Sequence, residues 1–564
     1  MVGIMDGFGL AMFLPLLEFV AADGSAASEQ MGNLAFLVEG LEALNFNLNL
    51  TLVLLTMLFF FTAKGLMKFL EQYKSVIYRQ YFIRNLREEN INLLSTYDYE
   101  AFVNADAGRI QNTMSGEIAR VSAALNYYIG LMQYSVLVLV YTVLAFMANA
   151  QFALLVIVGG ALTNLLFNRL YTATKQYSKK LTQDNHRFQG LLIQKVAFFK
   201  YLKATGNLNK YAKKLISMVY GIETSQRKIG VLGAIMTGIR EPMMIGVVVA
   251  VILIQVNFLG GSLGLILLSI LFFYRALGSV MSLQRSWNQF LGMSGSLENL
   301  EEFTYELKKD RERTGERPFT SLDQIIELKD ISFSYGNIPV LHDIRLTIHK
   351  NETVALVGES GSGKTTLMNI LSGLLTPSIG MMKIDGLDST LIRMPTFQQR
   401  IGYITQEPVI FSDTIYNNVT FWDDDSEGSR ERFVKALKRA RIYDFVQGLP
   451  EKEKTLLGSN GINLSGGQKQ RISIARELFK EVDFLFLDEA TSALDSETEK
   501  EIQDNLDQLK GQYTIVIIAH RLSTIKHADR VVVIDKGRIE RVGTYQELIG
   551  VSGIFRKMVD LQKI

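Results

Sequence analysis

The strongest chemical signal in the chain is Gly358-Glu-Ser360-Gly361-Ser362-Gly363-Lys364-Thr365. The run follows an apolar strand-like segment, Val354 to Val357, and opens a helical stretch, Thr366 to Leu375, so G-x-x-x-x-G-K-[ST] stands in the strand-loop-helix setting it needs. Glycines let backbone N–H groups approach phosphate oxygens, and a helix N-terminus adds the positive end of its dipole. Lys364 would reach the β- and γ-phosphates of a nucleotide, Thr365 would ligate Mg²⁺, and Ser360, Ser362 and Thr366 complete the cradle. At average residue usage the motif arises by chance in about one in fifty chains of this length, and its context lowers that figure further. A second signal is Phe484-Leu-Phe-Leu487 followed by Asp488 and Glu489. Alone, the carboxylates could cap a strand. Beside a phosphate loop, Asp488 is placed to hold Mg²⁺, directly or through water, and Glu489 to polarise an attacking water. A third is Leu464-Ser465-Gly466-Gly467-Gln468, a second glycine-rich loop feeding the helix Lys469 to Phe479. It reads as a second phosphate site, although one nucleotide needs only one such loop.

The elements that must position these residues differ sharply on either side of residue 320. Beyond it, β-rich runs (Ile325 to Leu328, Thr353 to Val357, Phe484 to Leu487, Thr514 to Ile518, Arg530 to Ile534) alternate with helical stretches, which predicts an α/β domain on a largely parallel sheet. Before it lie six apolar stretches: Gly3 to Val20, Leu48 to Phe61, Tyr127 to Ala148, Phe152 to Leu170, Val231 to Ile254 and Leu263 to Phe273. Most approach the length of about 20 residues that a bilayer crossing requires. The connections after the second and fourth are rich in Lys and Arg, whereas 21–47, 149–151 and 255–262 contain neither. By the positive-inside rule both long connections and the C-terminal half are cytoplasmic. The helical pattern continues past the bilayer into breaks near Ser95 to Asp106 and Val196 to Gly206. Leu34, Leu37, Val38, Leu41 and Leu44 mark a short amphipathic helix, either at the outer surface or packed within its loop. The expected division is a transmembrane domain at 1–300, a charged linker at 301–324 and a nucleotide-binding domain at 325–564.

Composition alone is bland. A net charge of +2 and 48% hydrophobic residues name no partner and give no basis for nucleic-acid binding. The absence of Cys and a scatter of 5 His remove disulfide frameworks, thiolate clusters and an obvious metal cage.

Taken together, the phosphate loop, Gln406, Leu464 to Gln468, Asp488-Glu489, Ser492-Ala-Leu-Asp495 and His520 resemble the nucleotide-binding domain of the ABC transporters over about residues 325 to 560. The resemblance accounts for the second loop. In that family two domains sandwich two ATPs head to tail, so Ser465, Gly466, Gly467 and Gln468 would face the γ-phosphate held by the other protomer's Lys364. It further implies that Tyr335 stacks on adenine, with a sheet-packing tyrosine as the alternative. Gln406 would reach Mg²⁺ and the water, His520 would touch the γ-phosphate, and Asp495 would couple the two sites. With Glu489 and His520 both present, a homodimer would carry two competent sites, while a heterodimer is the other arrangement open to a half-transporter. One departure stands before the signature. Many exporters have a glutamate where this chain reads Leu457-Gly458-Ser459-Asn460-Gly461, and Ser459 cannot make the same ion pair.

Spans fused ahead of one such domain resemble an exporter, whose helix tips (here near Tyr97 to Asn104 and Val196 to Lys203) dock on the ATPase. The implied setting is the cell inner (plasma) membrane, with the ATPase cytoplasmic. For cargo, the informative residues are charges inside spans, where an isolated Arg or Lys costs roughly 2.5 to 3.5 kcal/mol. Lys64, Arg240 and Arg275 fall in the inner-leaflet half and Arg285 just beyond it. They would snorkel to the interface, pair with Glu241 or Asp6, or form an inward basic cluster for an anionic head group. Ile4-Met-Asp6-Gly-Phe, Leu14-Pro15-Leu16, Arg240, Tyr274-Arg275-Ala-Leu277 and Arg285 are similar to the lipid-linked oligosaccharide flippases of bacterial N-glycosylation. That resemblance implies ATP-driven flipping of a polyprenyl-pyrophosphate glycan or another anionic glycolipid. Export of amphipathic drugs, lipids or peptides is the competing transport reading, and an ATP-gated channel or regulator is the reading from another class. Residues 1–20 serve better as a shortened first span than as a signal peptide, because Asp6 stands where a basic residue would be wanted.

Overall fold

The computed structural model describes residues 1–13, 15–16, 49–148, 150–254, 263–458, 461–488, 507–519, 521–551 and 553–561. They form two compact units, Met1–Tyr97 with Asn104–Arg311, and Asp98–Val103 with Glu312–Ile564.

The first unit is helical: Val2–Ala11, Leu50–Ser95, Ala107–Asn112, Ile118–Ala148, Ala150–Ala197, Phe199–Ala204, Leu208–Ile254, Leu263–Gly292 and Ser294–Lys309. Among the described residues, Leu50–Ser95, Ala107–Met147 and Leu208–Ala250 are long and apolar enough to cross a membrane. Leu58, Phe59, Met132, Val136 and Leu139 are exposed along these helices, an outward apolar surface that suits a hydrocarbon solvent rather than water. Leu50–Ser95 has 46 residues, about 69 Å at the helical rise, and so reaches well beyond a hydrocarbon core of about 30 Å. The amphipathic stretch 34–44 and the predicted outer loops at 21–47 and 255–262 lie outside the described residues.

Polar contacts and close backbone approach hold the ends of these helices. Between Ala107–Asn112 and Ile118–Ala148 the chain makes one π-helical turn, Thr113–Glu117. The buried Glu117 carboxylate accepts from Asn112 Nδ2 at 2.8 Å, and Thr113 Oγ1 accepts from Asn299 Nδ2 at 3.0 Å. Gly108 lies so close to a neighbouring helix that an added Cβ would sit 2.5 Å from the Cα of Gly190. Ser178 Oγ donates to the Gly292 carbonyl at 2.8 Å and accepts from the Gly295 N–H at 3.1 Å. The charge-dense stretch read as a linker begins as helix Ser294–Lys309, with Leu300, Phe303 and Leu307 buried at helical spacing. Its charges occupy the other face, so a count of charge alone hid the apolar stripe.

The second unit contains two sheets, β2-β1-β4-β5 and β10-β9-β3-β8-β7-β6. In the larger, β9 (Arg530–Asp535), β3 (Thr353–Val357), β8 (Thr514–Ile518), β7 (Phe484–Asp488) and β6 (Ile401–Ile404) run parallel. Only β10 (Arg538–Gly543) is antiparallel, at the edge. All five residues of β3 and of β8 are buried, as helices on both faces of a parallel sheet require. Strand alternation divides them between two cores. Ala355, Val357, Leu485 and Leu487 enter one, and Val354, Leu356, Phe484 and Phe486 the other. The smaller sheet is the antiparallel set β1 (Ile325–Tyr335), β2 (Ile338–His349), β4 (Ile379–Ile384) and β5 (Leu387–Asp388).

Candidate functional site

Because four neighbouring strands run parallel, the chain leaves all of them at the same edge of the sheet. The phosphate loop follows β3, Gln406 follows β6, Asp488 ends β7, and Ala519 follows β8. Register keeps these ends level, with Leu356 opposite Ile518, Asp488 opposite Ile518, and Ile404 opposite Leu487. The carboxyl edge of a parallel sheet is where such folds bind ligands. Thus residues spread over more than 160 positions of sequence converge through topology alone. Glu489, Asp495 and His520 lie outside the described residues, as do Ser459 and Asn460.

The loop itself is shaped by backbone that only glycine adopts readily. Gly361 has φ +79°, and Gly363, which precedes the helix Lys364–Leu371, has φ +101°. The helix begins two residues earlier than the apolar pattern suggested, so the N–H groups of its first turn, at Lys364, Thr365 and Thr366, have no helical acceptor. Lys364 is buried, and its Nζ donates to the carbonyls of Gly358 (3.0 Å) and Glu359 (2.8 Å), which centres the ammonium in the loop. A cavity of about 220 Å³ is lined by Ser360, Gly361, Gly363, Lys364, Thr365 and Thr366 together with Val340. Ser362 turns inward, its Oγ buried without a partner in the structure. A rim of first-turn N–H groups, one ammonium and hydroxyls fits a polyphosphate and its divalent cation: the amides and Lys364 suit phosphate oxygens, and Thr365 and Asp488 offer the oxygen donors Mg²⁺ prefers.

Tyr335 stands at the end of β1, partly buried, edge-on to Phe333 with ring centroids 4.9 Å apart. It does not line the cavity, although the hairpin partner strand β2 does so through Val340. Asp488 has a further influence on Tyr403, whose phenol is pushed up by burial and by that carboxylate. The second glycine loop is a helix start. Ser465 caps Gly466–Phe479 by accepting from Gln468 N–H at 3.3 Å, and Gln468 Oε1 accepts from Ser465 N–H at 2.9 Å. Both side chains are engaged in this capping box, which leaves Ser465 and Gly466 exposed on the surface. The S-x-x-Q spacing that encodes it is legible in the sequence.

One residue the sequence did not single out is Arg476. It is buried in that same helix and donates from Nε to Asn418 O (2.6 Å), from Nη1 to Val409 O (2.8 Å) and from Nη2 to Asn418 Oδ1 (3.1 Å). Its guanidinium also lies 5.1 Å from the centroid of the Phe411 ring. Burial pushes its pKa down, against a smaller opposing effect of Glu477. The helix behind Ser465 is thereby tied to the segment that follows Gln406.

The four basic residues expected to form a substrate cluster are not equivalent. Lys64 is ion-paired with the buried Asp6 at 2.5 Å, so of the options weighed for it, pairing is the one realised. Lys64 and Arg275 line one cavity. Arg285 is exposed and does not line it; ten residues along the helix from Arg275, it stands about 15 Å away. The side chain of Arg240 lies outside the described residues.

Comparison with known proteins places these observations. A family model described as ABC transporter matches residues 341–492. The ATP-dependent lipid A-core flippase of Francisella tularensis is 42% identical over 245 residues, which is 43% of this chain and 40% of that protein. The chain thus matches well under half the length of these flippases. The heterocyst differentiation ATP-binding protein HepA of a Nostoc species is 30% identical over 467 residues, 82% of this chain and 76% of its own length. Among solved structures, a bacterial Atm1-family ABC exporter with ATP bound superimposes with a TM-score of 0.78 at 21% identity, covering 100% of this chain and 96% of that one. The two share a fold.

Proposed function

The chain belongs to the ABC transporters, as an exporter-type half-transporter with a helical membrane unit and an α/β ATPase unit, and on that premise we propose that its dimer hydrolyses ATP to move an anionic lipid or glycolipid across the membrane. The observation that carries the cargo reading is a polar cavity bearing Arg275 within the membrane unit. A relative named for flipping lipid A-core supports the same class of cargo. Polyprenyl-pyrophosphate-linked oligosaccharides are one member of that class. The direction is inner to outer leaflet, in keeping with the exporter architecture, in the plasma membrane, and the distribution of Lys and Arg supports a cytoplasmic ATPase unit.

In the ATPase unit, the N–H groups at 363–366 and Lys364 bind the β- and γ-phosphates and Tyr335 meets the adenine. Thr365, Gln406 and Asp488 would hold Mg²⁺, which would supply positive charge to offset that of the phosphates. Glu489 orients and deprotonates the attacking water, and His520 contacts the γ-phosphate. Ser465, Gly466, Gly467 and Gln468 close on the nucleotide held by the other protomer, with Asp495 linking the two sites. A homodimer supplies both halves of both sites; a heterodimer would do so with a second chain of the same design.

The test is ATPase activity of the full chain in nanodiscs across a panel of neutral and anionic lipids. Anionic lipids should stimulate turnover, and Glu489→Gln should abolish about 10²- to 10⁴-fold of it while nucleotide still binds. Indifference to every lipid, or an ion conductance switched by nucleotide, would replace the flippase reading with that of a regulator or channel.

A further inference from the structure

Helices Val2–Ala11, Leu50–Ser95, Ile118–Ala148 and Leu263–Gly292 line a half-open cavity of about 410 Å³ within the membrane unit, a size that suits a lipid head group rather than an entire lipid. Five charged side chains line it, namely Asp6, Lys64, Lys68, Glu71 and Arg275. Asp6 is 2% exposed and both its oxygens are taken: Oδ1 by Lys64 Nζ and Oδ2 by the Tyr141 hydroxyl. Lys64 also lies 5.5 Å from the centroid of the Phe61 ring. A carboxylate buried this deeply holds its ammonium firmly, because separating the pair would leave a bare charge in a medium of low dielectric. Lys64 therefore offers no net charge to a ligand. Lys68 and Glu71, one helical turn apart, balance each other in sum. Arg275 is left as the uncompensated charge, and among the described residues no carboxylate stands within ion-pair distance of it.

Two serines of the lining have a bias of their own. Ser279 Oγ donates to the Arg275 carbonyl (3.0 Å) and Ser282 Oγ to the Gly278 carbonyl (2.9 Å). Each hydroxyl has spent its proton on its own helix and presents only lone pairs to the cavity. Groups of that kind welcome a ligand that donates, and Gln72 and Gln133 can do the same through their amide oxygens.

From this ledger we infer that the cavity selects a lipid whose head group carries one negative charge and several hydroxyls, with Arg275 reading the charge and Asp6 determining specificity by keeping Lys64 silent. The inference rests on the lipid-transport reading and narrows it, away from diphosphate head groups and towards phosphodiesters with a polyol.

Full-length protein in phosphatidylcholine nanodiscs is titrated with phosphatidylglycerol (one charge, two hydroxyls) or with a polyprenyl diphosphate, and ATPase stimulation gives a half-saturating mole fraction for each. The wild-type chain should favour phosphatidylglycerol by about tenfold, and Arg275→Gln should lose that preference. Asp6→Asn frees Lys64, so the preference should collapse or invert in favour of the diphosphate. Because Asp6→Asn could also disturb packing, Asp6→Asn/Lys64→Gln, which restores the original net charge, should return the wild-type order. Glycerophosphoglycerol, the same head group without acyl chains, should compete at least about a hundredfold less well than the lipid; equal competition would overturn a lipid as the source of the ligand. If lipids stimulate without regard to charge, or Asp6→Asn leaves the ratio unchanged in folded protein, the selectivity is refuted while lipid transport stands. If no lipid stimulates the wild-type chain, the transport reading itself has failed.

Discussion

Replacing Gly363 by alanine would load the phosphate loop with two separate costs, and the structure allows them to be told apart. The first is backbone strain. At φ +101° an L side chain sits in a region it rarely populates, at about 1 to 3 kcal/mol. The second is steric, since the new Cβ would lie 2.7 Å from Leu341 Cδ2, an overpacking that costs about 1 to 3 kcal/mol. Moving the loop relieves both, so the sum of about 2 to 6 kcal/mol should emerge as weaker nucleotide binding, from about thirtyfold to about twenty-thousandfold. Gly361 supplies the control. Its φ is +79°, but nothing lies within 4 Å of its would-be Cβ, so Gly361→Ala bears the backbone cost alone, about 1 to 3 kcal/mol or about five- to 150-fold. Leu341→Ala in the Gly363→Ala background should recover about tenfold by opening space for the methyl group, at some cost in stability from the lost leucine. Affinity of full-length protein for a fluorescent non-hydrolysed ATP analogue compares all three variants with the wild type. Equal losses at Gly361 and Gly363, or no recovery on truncating Leu341, would refute the division into strain and clash.

Arg476→Met should remove the donors to Val409 O and Asn418 O, at about 1 to 3 kcal/mol for each carbonyl left dry; thermal unfolding and ATPase activity should both fall, and Arg476→Lys should recover only part of either. Gly108→Val drives a side chain into the Gly190 backbone, and should lower the melting temperature of the detergent-solubilised protein by several degrees, more than Gly221→Val, where the space is open. His186, beyond the membrane-spanning part of its helix, has its pKa held below 6.5 chiefly by burial, with Arg109 and Arg120 adding to that and Glu117 and Asp106 opposing it. A base whose folded pKa is depressed gives stability that is complete above the unfolded value and lost as pH falls through the folded one. Acidification from neutral pH should therefore lower the melting temperature, and His186→Gln should flatten that slope.

The phosphate loop, the strand before Asp488 and the capping box at Ser465 were legible because each is a local pattern. Thr353–Val357 and Thr514–Ile518 were readable to the residue, since strands buried on both faces are unbroken apolar runs bounded by polar residues. β10 was missed because Arg538–Gly543 is a mostly exposed edge strand in which charge interrupts the apolar pattern. The second half of helix Ser294–Lys309 was read as the start of a linker, at 301–324, for a related reason, its narrow buried stripe being outnumbered by acidic and basic residues. Arg476 was invisible for another reason: Lys469, Arg471 and Arg476 share one helix, and nothing in their spacing says which is buried against carbonyls 58 and 67 positions away. The basic residues of the membrane unit show the limit most plainly. Lys64 and Arg275 are both cations in apolar runs, and only the fold places Asp6 against the first and not the second.

The π-helical turn at Thr113–Glu117 has a consequence for how this chain can change over generations. A turn closed by i to i+5 hydrogen bonds accommodates one residue more than an α-turn, and one residue is worth about 100° of rotation about the helix axis. Every side chain from Ile118 onward is clocked by that single step, Tyr141 included. Loss of one residue here would alter no apolar composition and delete no recognisable motif, yet it would swing the whole following span by more than a quarter-turn and carry the Tyr141 hydroxyl off Asp6. The segment is therefore a phase setting for the membrane helix, in which a length change as small as a single codon is more disruptive than most substitutions.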